Sequence, residues 1–229
     1  MQSLASTLRT IYPDKGLKGL IFDCDGVLLN SRKANILYYN LVLDYFKQPR
    51  LTPNEEEFVH MHTVRESLHH VLGPEEISRI GEAVKHVDYA RDVMPLSEVE
   101  PGVVELLGQL RAAGLKLAVH TNRSNYAMPN LAYFKLDGFF DPVITAESHP
   151  PKPSPEGVFA ILDSWGVSAA EVGFVGDSEL DALAAGGAQT PFFAYKNTGL
   201  TANIHVADFY DLSTALREYL ALRPGNFLA

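Results

Sequence analysis

The residues best placed to do chemistry are two carboxylates one position apart, Asp23 and Asp25, in the run Gly19-Leu20-Ile21-Phe22-Asp23-Cys24-Asp25-Gly26-Val27-Leu28. Residues i and i+2 of a strand point to the same side, so the pair converges where the apolar strand ends. Two such charges about 4 Å apart, at an effective dielectric of about 20, repel by roughly 4 kcal/mol. A fold that keeps them together needs a metal, a proton or a reaction to use them. Three more segments have the same character. Val119-His120-Thr121-Asn122 ends an apolar run in a hydroxyl and an amide, and Pro151-Lys152-Pro153 holds a lysine between prolines. Gly176-Asp177-Ser178-Glu179-Leu180-Asp181 sets two acids four apart where a strand gives way to a helix.

The elements between these segments alternate. Nearly continuous apolar runs predict strands at Leu17–Asp23, Leu115–His120, Pro142–Thr145, Val172–Gly176 and Phe192–Tyr195, as in a parallel sheet covered on both faces. Helical periodicity fills the gaps at Pro101–Ala113, Tyr126–Phe134, Pro155–Trp165 and Glu179–Gly186, with a closing helix at about Leu212–Leu222. Residues 1–15 read as a short amphipathic helix or arm. The pattern is that of an α/β fold with a doubly wound parallel sheet. One interval breaks it. From Asn30 to about Val99 only helical pattern is present, at Ile36–Phe46, Glu55–His62, Val64–Leu72 and Glu75–Val93. This predicts an α/β core of residues 1–29 and 98–229 with an inserted all-helical cap at 30–97, the alternative being extra helices of a single core.

Ligands of open α/β sheets bind at the carboxyl ends of strands, where all four segments fall. Asp23, Asp25, Asp177 and Asp181 in one crevice would repel a phosphate dianion unless their charge is offset. Mg²⁺ suits that task, because it takes a few carboxylate oxygens, keeps waters and bridges to phosphate. Lys152 adds a positive charge, while Thr121 and backbone N–H groups hold phosphate oxygens without adding one. Taken singly, each residue has a plainer use. Asp25-Gly26 makes a turn, Asp177 caps a helix, Thr121 ends a strand and Lys152 is a solvated loop residue.

These motifs, in this order, resemble the haloacid dehalogenase superfamily of phosphohydrolases over about residues 17–210. The helical insert is similar to members with a cap between the first and second motifs, such as phosphoglycolate phosphatases and β-phosphoglucomutases. The resemblance implies that Asp23 is a nucleophile forming an aspartyl phosphate, and that Asp25 is the acid and then the base. It also implies Mg²⁺ on the Asp23 carboxylate, the Asp25 backbone carbonyl and Asp177. Thr121 and the Asn122 N–H would bind the phosphoryl group, Lys152 would steady the nucleophile, and Asp181 would orient Lys152 or a metal-bound water. An acid at position 25 favours phosphate ester chemistry over dehalogenation. Hydrolysis and mutase transfer are not separated, and a non-catalytic phosphometabolite binder is a third reading.

In the insert, Arg65 is either a partner for a second anionic group of the substrate or a solvated helix residue. His60, His62, His69 and His70 are either a second metal site or ordinary helix-surface residues, and Arg123 faces either substrate or solvent. The formal net charge of −9 argues against a nucleic-acid surface. No apolar run approaches the roughly 18–20 residues that span a bilayer. Cys24, the one cysteine, fits a reducing cytoplasm. The expectation is a cytoplasmic monomer or homodimer acting on a small phosphate ester.

Overall fold

The apolar runs become a sheet in the computed structural model, which describes residues 3–13, 16–124 and 126–221. In chain order the strands are β1 (Gly19–Phe22), β2 (Leu29–Asn30), β3 (Glu98–Val99), β4 (Lys116–Thr121), β5 (Val143–Thr145), β6 (Val172–Gly176), β7 (Phe192–Tyr195) and β8 (Ile204–Val206). Six of them form one parallel sheet in the order β5-β4-β1-β6-β7-β8, and β2 pairs with β3 as a separate antiparallel ribbon. Helix α1 (Leu4–Ile11) precedes the sheet. Between β2 and β3 lie α2 (Arg32–Tyr45), α3 (Pro53–Met61), α4 (Val64–Val71), α5 (Pro74–Ser78) and α6 (Ile80–His86), then a π-helical turn at Tyr89–Val93. The later helices are α7 (Val103–Ala112), α8 (Ala127–Tyr133), α9 (Glu156–Trp165), α10 (Glu179–Gly187) and α11 (Phe209–Ala221).

Alternation along β1 explains the layering. Leu20 and Phe22 pack with Leu106 of α7 and Leu212 of α11, whereas Ile21 packs on the other face with Ile161 of α9 and Ala185 of α10. Every residue of β1 is buried, so its run is apolar rather than alternating. The predicted stripe Val103, Leu106, Leu107 and Leu110 is the buried face of α7. The helices between β2 and β3 have an apolar cluster of their own, including Tyr38, Val42, Val59, Leu68 and Val93. Thr52–Glu55 and Thr63–Glu66 form capping boxes that start α3 and α4.

Some elements differ from the sequence reading. The expected helix Glu75–Val93 is broken at Arg79, where the backbone leaves helical geometry (φ −112°, ψ 8°), and again at Val87 (φ −93°, ψ 108°). Strand β8 is a three-residue sheet edge with His205 exposed between Ile204 and Val206, too short to show a periodicity. The β2–β3 ribbon, two residues on each side, is also below that limit. Of the expected closing helix, Leu222 lies outside the described residues. No helix among the described residues is long and apolar enough to cross a membrane.

His120 of β4 is buried edge-on to Phe174, with ring centroids 6.0 Å apart, and its Nδ1 has no hydrogen-bond partner. A Cβ on Gly157 would fall 2.4 Å from its Nε2, so α9 closes over the ring only because residue 157 is glycine. Burial, and then the charge of Lys152, push the imidazole down to about 3. Unfolded histidine titrates at about 6.5, so the unfolded chain binds the extra proton between the two values. The contribution of neutral His120 is therefore complete above about 6.5 and is lost as pH falls toward the folded value. In urea titrations, the stability of the natural protein relative to His120→Phe should fall by at most about 1.4 kcal/mol per pH unit across that interval. A pH-independent difference would contradict the neutral ring.

Candidate active site

Because β4, β1 and β6 are adjacent and parallel, their carboxyl ends deliver Thr121, Asp23 and Asp177 to one edge. The Asp23 N–H extends the ladder by donating to the Val175 carbonyl at 2.9 Å. The chain then turns at once, with the Leu28 and Leu29 N–H groups donating to the Cys24 carbonyl at 3.0 and 2.9 Å. Gly26 has a left-handed φ of +76°, and a Cβ there would lie 2.1 Å from Asp177 Oδ2. Glycine is what lets the loop after β1 approach the acid after β6.

Lys152 arrives from the loop beyond β5 and is buried. Its Nζ donates to Asp23 Oδ1 at 2.6 Å and to Asp181 Oδ1 at 2.7 Å. Asn122 fixes its backbone: Lys152 N–H donates to Asn122 Oδ1 at 2.8 Å, and Asn122 Nδ2 donates back to the Lys152 carbonyl at 3.1 Å. The same Nδ2 reaches the Met61 carbonyl at the end of α3, at 3.3 Å. Asp181 Oδ2 accepts from Ser178 N–H and Oγ at 3.0 and 2.6 Å, in the capping box that starts α10. The residue that ends the lysine's reach is thus also the one that fixes the helix.

Carboxylate oxygens of Asp23, Asp177 and Asp181 lie within 4.8 Å of one another. Asp181 is committed to Lys152 and Ser178, whereas the Asp177 carboxylate has no hydrogen-bond donor among the described residues. Burial pushes the Asp23 carboxyl up to about 7, against the pull of Lys152. Asp177 is also raised, by burial and then by the charges of Asp181 and Asp23. For Lys152, burial works against the ammonium form but Asp181 and Asp23 outweigh it, so the side chain stays charged. Asp23 and Asp177 are the acids whose charge the protein leaves unbalanced.

Asp25 is balanced by a residue whose direction the sequence leaves open. Arg123 turns inward and forks onto it, Nε to Oδ2 and Nη2 to Oδ1, both at 2.6 Å. Ser31 Oγ also donates to Asp25 Oδ1. Arg123 further donates to Asn35 Oδ1 at 3.0 Å and to the Tyr89 hydroxyl at 2.5 Å, and its own N–H donates to Thr121 Oγ1 at 3.1 Å. Burial would raise the Asp25 carboxyl, but Arg123 overcomes that and holds it below the usual carboxylate range. Four carboxylates therefore face two paired cations, Lys152 and Arg123, which leaves a formal surplus of two negative charges. One divalent cation carries the charge that offsets it.

Arg65 is exposed on α4 and does not line the cleft; α4 turns Val64 and Leu68 toward it instead. His60 lines the cleft with its Nδ1 3.2 Å from Asn35 Nδ2, while His62 and His70 sandwich Phe58 at centroid distances of 3.8 and 3.9 Å. No histidine belongs to a potential metal-binding group of three among the described residues. Asn35 and Tyr89 join the site without having been singled out in the sequence. Asn35 follows Ser31 by one helical turn, which is a usable signal. Tyr89 is brought in only by the path of the insert.

Replacing Arg123 by Met would leave Asp25 buried without its partner. Breaking a buried ion pair from one side costs about 3–5 kcal/mol. Arg123→Met should lose stability on that scale in urea denaturation, and more than Arg123→Lys, which keeps the charge but not the fork. Equal stability of the two variants would mean that the forked contact contributes nothing.

Comparison with known proteins identifies the family. The family model for haloacid dehalogenase-like hydrolases matches residues 20–195. A phosphoglycolate phosphatase of Haemophilus influenzae is 30% identical over 180 residues, covering 72% of this chain and 79% of that protein. A phosphoglycolate phosphatase of Mannheimia succiniciproducens is likewise 30% identical, with the same coverage. The crystal structure of a HAD-superfamily hydrolase, subfamily IA, from Geobacter sulfurreducens is 34% identical and superposes with a TM-score of 0.72, covering 90% of this chain and 99% of that one. With its acids, lysine and hydroxyl gathered at the carboxyl ends of β1, β4 and β6, the chain belongs to the haloacid dehalogenase-like hydrolase family.

Proposed function

We propose that the protein is a Mg²⁺-dependent phosphatase that hydrolyses a small phosphorylated metabolite through an aspartyl phosphate on Asp23. The observation that carries this is the buried cluster of Asp23, Asp177 and Asp181 around Lys152, short of two positive charges beside a strand-end hydroxyl. The acidic oxygen donors suit a hard cation, held by the Asp23 carboxylate, the Asp25 backbone carbonyl and Asp177. When bound, Mg²⁺ offsets the charge of the phosphoryl group. That the related proteins from Haemophilus and Mannheimia are phosphoglycolate phosphatases supports phosphate ester hydrolysis in this one.

In this reading Asp23 attacks phosphorus and the bond to the leaving oxygen breaks. Lys152 favours the ionised form of Asp23 and aims it, with the Asn122 carboxamide setting the lysine and Asp181 bracing it. Thr121 and the Asn122 N–H hold phosphoryl oxygens. Asp25 gives a proton to the leaving oxygen and then takes one from the water that releases phosphate. Arg123 favours the ionised form of Asp25, which suits the second of those steps; for the first, the carboxylate has to take up a proton from solvent against the pull of Arg123. The helices between β2 and β3 act as the cap that excludes bulk water. The buried Cys24 thiol is compatible with a cytoplasmic setting.

The test is phosphate release from an aryl phosphate by the full chain. Release should require Mg²⁺, stop on chelation and return when Mg²⁺ is restored. Asp23→Asn should lower kcat by about 10³-fold or more while leaving the fold intact by circular dichroism. Turnover retained in that variant removes Asp23 as nucleophile, and isomerised sugar phosphate outpacing free phosphate would favour a mutase.

A further inference from the structure

The acidic cluster is only one end of a single cavity of about 350 Å³ that continues upward between the helices of the insert. Its far wall is made by Tyr38 and Tyr39 of α2, Val59 of α3, Leu68 of α4, and Ile80 and Val84 of α6. That wall is apolar and aromatic. The cations that line the cavity, Lys152 and Arg123, are both committed to carboxylates, and Arg65 stands outside it. His60 adds no fixed charge, since its imidazole is lowered by burial, and His62, the other histidine on the cavity, stacks on Phe58 with its Nδ1 2.9 Å from the Phe58 carbonyl. A second anionic group on the substrate would therefore enter a largely apolar chamber in which no lining lysine or arginine is free to pair with it. Desolvating such a charge is costly unless it is paired.

We propose that this chamber selects phosphate monoesters whose leaving group is uncharged and largely apolar, of about the size of one aromatic ring, over esters that carry a carboxylate or a second phosphate. The proposal rests on the phosphatase reading and specifies its substrate class. With the phosphoryl group at the acidic end, the leaving group has the cap wall to itself. An engineered apolar cavity of about 150 Å³ is large enough for benzene, so the volume here holds a ring and a phosphoryl group together. The tyrosine faces and aliphatic ends give such a group contact area but no counter-charge.

The experiment compares benzyl phosphate, α-glycerophosphate and phosphoglycolate, all alkyl esters, at saturating Mg²⁺ with the full chain. The expected result is a kcat/KM for benzyl phosphate about tenfold or more above that for phosphoglycolate, with the difference mainly in KM. Val84→Lys, at a half-buried position on the wall and away from the reacting atoms, should reverse the preference by raising phosphoglycolate turnover and depressing that of benzyl phosphate. Phosphoglycolate turned over as well as or better than benzyl phosphate by the natural protein overturns the proposal while leaving the phosphatase reading intact. Phosphate release from none of these esters or from an aryl phosphate overturns both. The comparison in the natural protein decides the matter even where the lysine variant fails to fold.

Discussion

The organising constraint is uncompensated negative charge buried at the end of β1. Lys152 is shared between Asp23 and Asp181, Arg123 is spent on Asp25, and the Asp177 carboxylate has no donor among the described residues. Protein interiors tolerate such a surplus only where it is neutralised in the working state. The rest of the local architecture reads as the means of keeping it in place. Gly26 allows two acidic loops to approach, and the Asn122 carboxamide grips the backbone of the lysine. The Ser178–Asp181 box makes the brace of that lysine part of a helix start.

The sheet supplies the precision. A parallel β4-β1-β6 triplet, buried on both faces, fixes the relative height of the strand ends through its hydrogen-bond register. Asp23 and Asp177 each follow a strand end by one position and Thr121 is the last residue of β4, so little loop stands between ladder and these three side chains. The side of the cavity made by the helices between β2 and β3 is built differently. Its residues come from several helices held by an apolar cluster separate from those flanking the sheet. One half of the cavity is charged, and the other is lined mainly by apolar and aromatic side chains.

Much of this was legible in the sequence, because short-range patterns carry it. Asp23, Thr121, Lys152 and Asp177 each sit beside an apolar run or a proline pair that announces a strand end or a fixed loop. What escaped has a physical reason in each case. The direction of Arg123 depends on Asp25, a residue 98 positions away, and on Tyr89 from the insert. The outward turn of Arg65 is decided by Val64 and Leu68 claiming the inner face of α4. The break at Arg79 has no proline or glycine at the residue itself to mark it. Strands of two or three residues are shorter than any period that could betray them.

The β2–β3 ribbon has a consequence of its own. Leu29 pairs with Val99 and Asn30 with Glu98, so the chain leaves the sheet layer and comes back to it through the same narrow doorway. β1 and β4, on either side of that excursion, are paired with each other in the main sheet. The excursion is moored a second time at the acidic edge itself, where Asn122 reaches the Met61 carbonyl and Arg123 reaches Asn35 and Tyr89, so a change of side chain in the insert is felt by the groups beneath it.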